Sequence, residues 1–328
     1  MPSIDERWTL LSHRAVIVEN RMLRIVVLPE LGGRIWSVLY KPLDRELIWQ
    51  NPRIAPRKVQ FGTAFDNFWC GGWEEMFPTA APATIHGESL PDHGEIWSLP
   101  WSARATQEDG CVTLRLQSQT PISAMFVEKV LTLRGDDTCF EVSYRIENRG
   151  SDEYPFLFAL HPALAVSAGD RLDLPPMKLE LDSGFPGSLA DADTPVCWPT
   201  AKRKGVETDL RRIQPPSSRQ VYFLYGHGFR DGWFAVTDTE RRLTMGMVFP
   251  ADTFPSCWIF ASYGGWRGYQ TLLVEPCTSY PQTLEEAMRE GRAQTLGPGA
   301  AFQTSIRFIA QEGLRSVSGL AEDGLFQE

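Results

Sequence analysis

Short runs of β-branched and aromatic residues, each closed by a turn signal, recur along almost the whole of this 328-residue chain. Ala15–Glu19 and Leu23–Leu28 flank Asn20-Arg21, and Arg34–Tyr40 follows the Gly32-Gly33 break. Cys111–Ser118 sets Val112, Leu114 and Leu116 against Thr113, Arg115 and Gln117, the period-two pattern of a half-buried strand. Met125–Leu133 and Cys139–Ile146 flank Gly135-Asp136-Asp137, a hairpin loop. The same reading gives strands at Pro155–His161, Val221–Tyr225, Trp233–Thr237, Leu243–Phe249, Trp258–Ala261, Thr271–Glu275 and Phe302–Ile309. Only Thr283–Arg289 reads as a helix, with Glu285 and Glu286 near its start. With 27 glycines and 24 prolines the chain is poor ground for long helices. The pattern predicts an all-β fold, a large antiparallel sandwich rather than a βαβ array. No repeat or composition shift marks a boundary, so residues 1–328 are expected to form one domain, with Gly169–Arg219 as loops and short strands over one face.

Several function classes drop out. With 32 Lys and Arg against 41 Asp and Glu the net charge is −9, which disfavours duplex nucleic acid and anionic membranes as partners. Cys70, Cys111, Cys139, Cys197, Cys257 and Cys277 contain no C-x-x-C pair, so no zinc framework is expected, and a chain of this size needs no disulfide. Gly32-Gly33 lacks the Lys and helix of a phosphate-binding loop, and there is no G-x-S-x-G elbow. His86 and His93 do not have the spacing of a helical metal pair. No metal or cofactor is expected. The N-terminus lacks the apolar stretch of a signal peptide, and Tyr154–Val166 is too short to span a bilayer, so the expected location is the cytoplasm.

What remains are polar residues at awkward places. His161 ends an apolar run, sharing period-two parity with Leu157 and Ala159, and a buried imidazole there needs a partner or a ligand. Glu275 ends the apolar strand Thr271–Glu275, with Pro276 expected to stop the ladder; facing a cleft, it would suit general-base work. The segments Gly71–Pro78 and Pro91–Trp97 interleave turn residues with tryptophans and carboxylates. Tryptophan faces pack on the C–H faces of sugars, and carboxylates and imidazoles bond hydroxyls. Each has a structural alternative: a satisfied core histidine, a carboxylate emerging into solvent, and Trp73, Trp97 and Trp101 as core anchors.

In order along the chain, these segments resemble the aldose 1-epimerase (galactose mutarotase-like) family. The resemblance rests on Leu28-Pro29-Glu30-Leu31-Gly32-Gly33-Arg34-Ile35, on Gly71-Gly72-Trp73-Glu74-Glu75-Met76-Phe77-Pro78, on Asp92-His93-Gly94, on His161 at a strand end, and on Glu275-Pro276-Cys277-Thr278-Ser279. It implies a β-supersandwich and an isomerase that interconverts the anomers of an aldose by acid–base ring opening. By the resemblance Glu275 is the general base, His161 the general acid and His93 a substrate-binding or proton-sharing catalytic residue. Arg34, Trp73, Glu74 and Trp97 are the substrate-binding candidates, and a small sugar is the expected partner. The chain departs from the family pattern at Glu95-Ile96-Trp97, where an arginine is usual, and at Pro162-Ala163 after the second histidine. A phosphorylated-sugar variant would need a cationic cluster, for which Arg34 and Arg267 are the candidates. A different class, a non-catalytic carbohydrate-binding or regulatory module on the same fold, is the alternative, since fold does not fix function. Retention of His93, His161 and Glu275 together favours the enzyme. A polysaccharide lyase relative would want a catalytic Tyr or Arg beside the histidine, and no such motif stands out.

Overall fold

Period-two alternation becomes strand after strand in the computed structural model, which describes residues 1–182, 184–185, 187–189, 196, 198–203 and 205–328. The fold is all-β with several antiparallel sheets, and Leu284–Arg289 is the one α-helix among the described residues. The chain divides into two compact units, Met1–Pro162 with Cys277–Ile306 and Ala163–Pro276 with Arg307–Glu328.

In the first unit one sheet runs in the order Ser3–Leu10, His13–Glu19, Leu23–Leu28, Arg34–Tyr40, Trp73–Met76 and the strand that begins at Ala159. A second sheet orders Cys139–Asn148, Met125–Arg134, Cys111–Gln119 and Ser102–Glu108. Met125, Val127, Lys129, Leu131 and Leu133 are the buried set of their strand, and Phe140, Val142, Tyr144 and Ile146 that of the next. Trp73 comes within 6.2 Å of Phe140, ring to ring, so these two sheets face each other across a packed core.

That core holds charge. The Lys129 ammonium donates to both oxygens of Glu75, at 2.8 and 2.9 Å, and the Tyr144 hydroxyl donates to the same carboxylate at 2.7 Å. Lys129 and Tyr144 are register partners on neighbouring strands, so both point at one place. Burial raises the Glu75 carboxyl against the pull of Lys129 and Tyr144, and lowers the Lys129 ammonium against the pull of Glu75. Glu75 likewise adds to the burial that pushes the Tyr144 hydroxyl up.

The second unit orders Gln270–Cys277, Ser256–Tyr263, Gln220–His227 and Lys178–Leu181 in one sheet. Arg171–Asp173, Gly232–Asp238, Leu243–Phe249 and the end of Ala301–Glu312 form another. Gly169–Arg219 carries short strands, among them Thr200–Arg203 and Val206–Asp209, as its composition implied. Cys70, Cys111, Cys139, Cys257 and Cys277 are free thiols, and Cys197 lies outside the described residues. No helix among the described residues is long and apolar enough to cross a membrane.

Three differences from the sequence reading bear on the site. Pro155–His161 is not one strand: Tyr154–Phe156 pairs with Gln294–Leu296, and a new strand starts at Ala159. Leu157 therefore does not share a ladder with His161. Trp73–Met76, in a segment whose turn residues gave no strand signal, is a strand that pairs with Ala159–Pro162. Its two prior glycines and Pro78 obscured a four-residue ladder. Pro276 does not end its strand, which continues to Cys277.

Candidate functional site

Strand parity sorts Trp73–Met76 into two faces. Trp73 and Glu75 turn inward, whereas Glu74 turns to the opposite face of the same sheet. His161 is the register partner of Glu74, and Ile35 that of Trp73, so Arg34, one residue before Ile35, shares the face of Glu74. Three charged or ionisable groups from three adjacent strands are thereby brought into line.

The Arg34 guanidinium donates through Nη1 to Glu74 Oε2 at 2.5 Å and to the Gly71 carbonyl. Glu74 Oε1 meets His161 Nδ1 at 3.1 Å. Glu74 is 0% exposed. Burial raises its carboxyl, but the Arg34 guanidinium and the His161 imidazole outweigh it and hold the group below the usual carboxylate range. The stability this carboxylate contributes is present above its ordinary pKa and is lost as pH falls through the lower folded value. Gly72, at φ +93°, lets the chain pass over the Arg34 side chain, where a Cβ would meet Cδ at 2.9 Å.

His93 arrives from a turn. Its backbone is left-handed at φ +59°, and Gly94 follows at +72°. The His93 N–H donates to the Ala80 carbonyl at 2.7 Å and the Glu95 N–H to that of Phe77 at 2.7 Å. A Cβ on Gly94 would lie 2.1 Å from the Phe77 oxygen, so only glycine fits this close pass. Asp92 Oδ1 holds His93 Nδ1 at 2.9 Å. Burial raises Asp92, the His93 imidazole lowers it, and the imidazole wins. The two histidine rings stand edge to face, 5.3 Å apart.

Aromatic residues wall these rings. Phe65 stacks on His93 at 3.6 Å and meets His161 edge-on at 5.5 Å, and Trp69 meets His161 at 5.9 Å. Trp97 packs edge-on against Phe65 at 5.0 Å, with its indole N–H donating to the Asp92 carbonyl. His93, 20% exposed on its side chain, is the open member of the group. Proton transfer between an imidazole and a hydroxyl or ring oxygen is chemistry this arrangement can support. Among the described residues no group of three or more His, Cys, Asp or Glu side chains is placed to hold a metal ion.

The first unit thus assembles Arg34, Glu74, His93, Trp97 and His161. Two assignments change. Trp73 is 0% exposed and packs against Phe140 in the core, so it cannot stack on a ligand, and Glu74 is spent on Arg34 and His161 as a positioning group rather than offered to a substrate. Trp73→Ala is expected to cost about 3–5 kcal/mol of stability in urea unfolding, the range for a deleted core aromatic; an unchanged midpoint would return Trp73 to the ligand-facing set. Glu95 accepts from Ile122 N, Ser123 N and Ser123 Oγ and pins the turn that carries His93. Glu275 lies in the second unit, buried on Gln270–Cys277 beside Cys257, whose thiol is raised by burial and by the Glu275 charge. Arg267, also in that unit, lies over the Trp266 ring at 5.0 Å. Sequence reasoning missed Phe65 and Trp69; their only signal was an aromatic cluster in a loop with no strand pattern.

Solved structures share this architecture. A galactose mutarotase-like protein from Clostridium acetobutylicum superposes with a TM-score of 0.67 at 10% identity, covering 95% of this chain and 99% of the other. The Slr1438 protein from Synechocystis gives 0.66 at 17% identity, over 94% and 99% of the two chains. A galactose mutarotase related enzyme from Lactobacillus acidophilus gives 0.61 at 15%, over 91% and 97%. At these identities the likeness establishes a galactose mutarotase-like fold. Residues 3–208 match the family described as "Domain of unknown function (DUF5107)", and the chain belongs to that family.

Proposed function

We propose that the protein is an aldose 1-epimerase-like isomerase that interconverts the anomers of a sugar. The observation that supports this most is the edge-to-face pair His93 and His161, with His161 backed by Glu74 and Arg34. In the reaction a base takes the proton of the anomeric hydroxyl, its oxygen forms the carbonyl, and the bond from C1 to the ring oxygen breaks. The ring oxygen keeps that electron pair and takes a proton from the acid. Rotation about C1–C2 and the reverse steps close the ring on the other face. His161 is the acid in this reading, and His93 holds or shares a proton at the substrate hydroxyls. Glu275 is the base, a role taken from the family resemblance.

The test is anomer-exchange NMR over a panel of free, acidic and phosphorylated aldoses. At least one sugar is expected to exchange ~10²-fold or more above its uncatalysed rate, the contribution of one acid–base group. Binding shifts without faster exchange for any sugar would replace this reading with that of a carbohydrate-binding module.

A further inference from the structure

A small recess in the first unit carries positive charge that the proposed ring opening does not use. Arg34, Arg57, Lys58, Phe68, Cys70 and Trp97 line it, and no carboxylate is among its lining residues. Its enclosed part is about 20 Å³, room for one water-sized group. Two acidic residues touch its cations from outside. Glu74 takes Nη1 of Arg34, and Glu30 pairs with Lys58 at 2.8 Å, where Lys58 is 62% exposed. Arg57 lies 4.6 Å over the Phe68 ring and makes no ion pair among the described residues. Stacking of that kind leaves the in-plane N–H donors free for a planar or tetrahedral anion. The Nε–H of Arg34 is buried with no acceptor, an unmet donor on a fully buried cation. In a chain of net charge −9, three cations around one recess make a local attraction for anions.

The recess and the histidines share walls. Arg34 lines it and also holds Glu74, which holds His161; Trp97 lines it and also packs on Phe65, which lies against both imidazoles. We propose that the recess takes one oxygen of an anionic substituent of the sugar, a carboxylate or a phosphate, whose remaining oxygens meet the exposed Arg57 and Lys58, so that the substrate class is an acidic aldose. The sugar part of this assignment rests on the epimerase reading; the anion part rests on Arg34, Arg57 and Lys58.

Calorimetric titration of the full chain with the neutral, uronic and 6-phosphorylated forms of glucose, galactose and mannose tests it. At least one acidic form is expected to bind ~10-fold or more tightly than its neutral parent, as one charge-assisted contact supplies, with the advantage shrinking as salt rises. Preference for the uronate or for the phosphate identifies the anion. In Arg57→Ala/Lys58→Ala, both exposed positions, the acidic-to-neutral ratio is expected to fall to within about twofold, and an unchanged melting curve shows the variant is folded. Equal affinities in the natural protein, no binding of any sugar, or a ratio that survives the double substitution overturns the subsite. A ratio that behaves as expected without accelerated anomer exchange keeps the recess and removes the epimerase reading.

Discussion

Lys129→Met is expected to lower the unfolding free energy by about 3–5 kcal/mol, because it strands the buried Glu75 carboxylate without its cation. The ammonium is 0% exposed and donates to both oxygens of Glu75. Burial acts against both charges, raising the carboxyl and lowering the ammonium. The sign follows from linkage. A carboxyl raised in the folded state costs stability once it ionises, and an ammonium lowered in the folded state costs stability while it stays protonated. Across neutral pH the pair is held together against the preference of its surroundings. Losing one partner is therefore worse than losing both. Lys129→Met/Glu75→Gln should recover most of the deficit, since the amide oxygen still accepts from Tyr144. Urea unfolding of the two single variants and the double gives the coupling. Losses that simply add would show that the ion pair is not the unit that matters.

Much of the fold is legible because a strand with one buried face writes its pattern at period two. Cys111–Gln119, Met125–Arg134 and Cys139–Asn148 alternate in this way and stand within two residues of where the sequence puts them. Ser3–Leu10 was not legible: it is exposed at nearly every position, so no face is apolar. Ser102–Glu108 fails for the same reason. Trp73–Met76 fails for the opposite one, since all four residues are buried and a short strand buried on both faces has no alternation. Lys129 was readable in principle. It stands in phase with Val127 and Leu131, and a lysine at a core position requires a buried counter-charge.

The site was legible as residues and not as an arrangement. Motif order named Arg34, Glu74, His93 and His161, but only the register that sets His161 opposite Glu74 shows that Glu74 supports the histidine. Trp73 misled because a tryptophan beside two glycines reads as a ligand platform until its parity with Glu75 is known. Phe65 and Trp69 come from an irregular segment, where sequence gives no rule for direction.

His161→Asn is expected to slow anomer exchange by ~10²-fold or more on the sugar that the natural protein turns over, with sugar affinity largely kept. Asparagine keeps a hydrogen-bonding group near Glu74 and removes the titrating nitrogen. Glu275→Gln tests the proposed base in the same assay, and exchange at the rate of the natural protein rejects that role. Glu74→Gln separates positioning from chemistry. It leaves His161 in place but takes away the negative charge 3.1 Å from its Nδ1, which stabilises an imidazolium. Its rate loss should be smaller than that of His161→Asn, with sugar affinity kept. A purely structural Glu74 would lower the amount of folded enzyme and leave the rate per folded molecule where it was. Full exchange activity in His161→Asn would remove the imidazole from the reaction, and with it the reading of this face as catalytic.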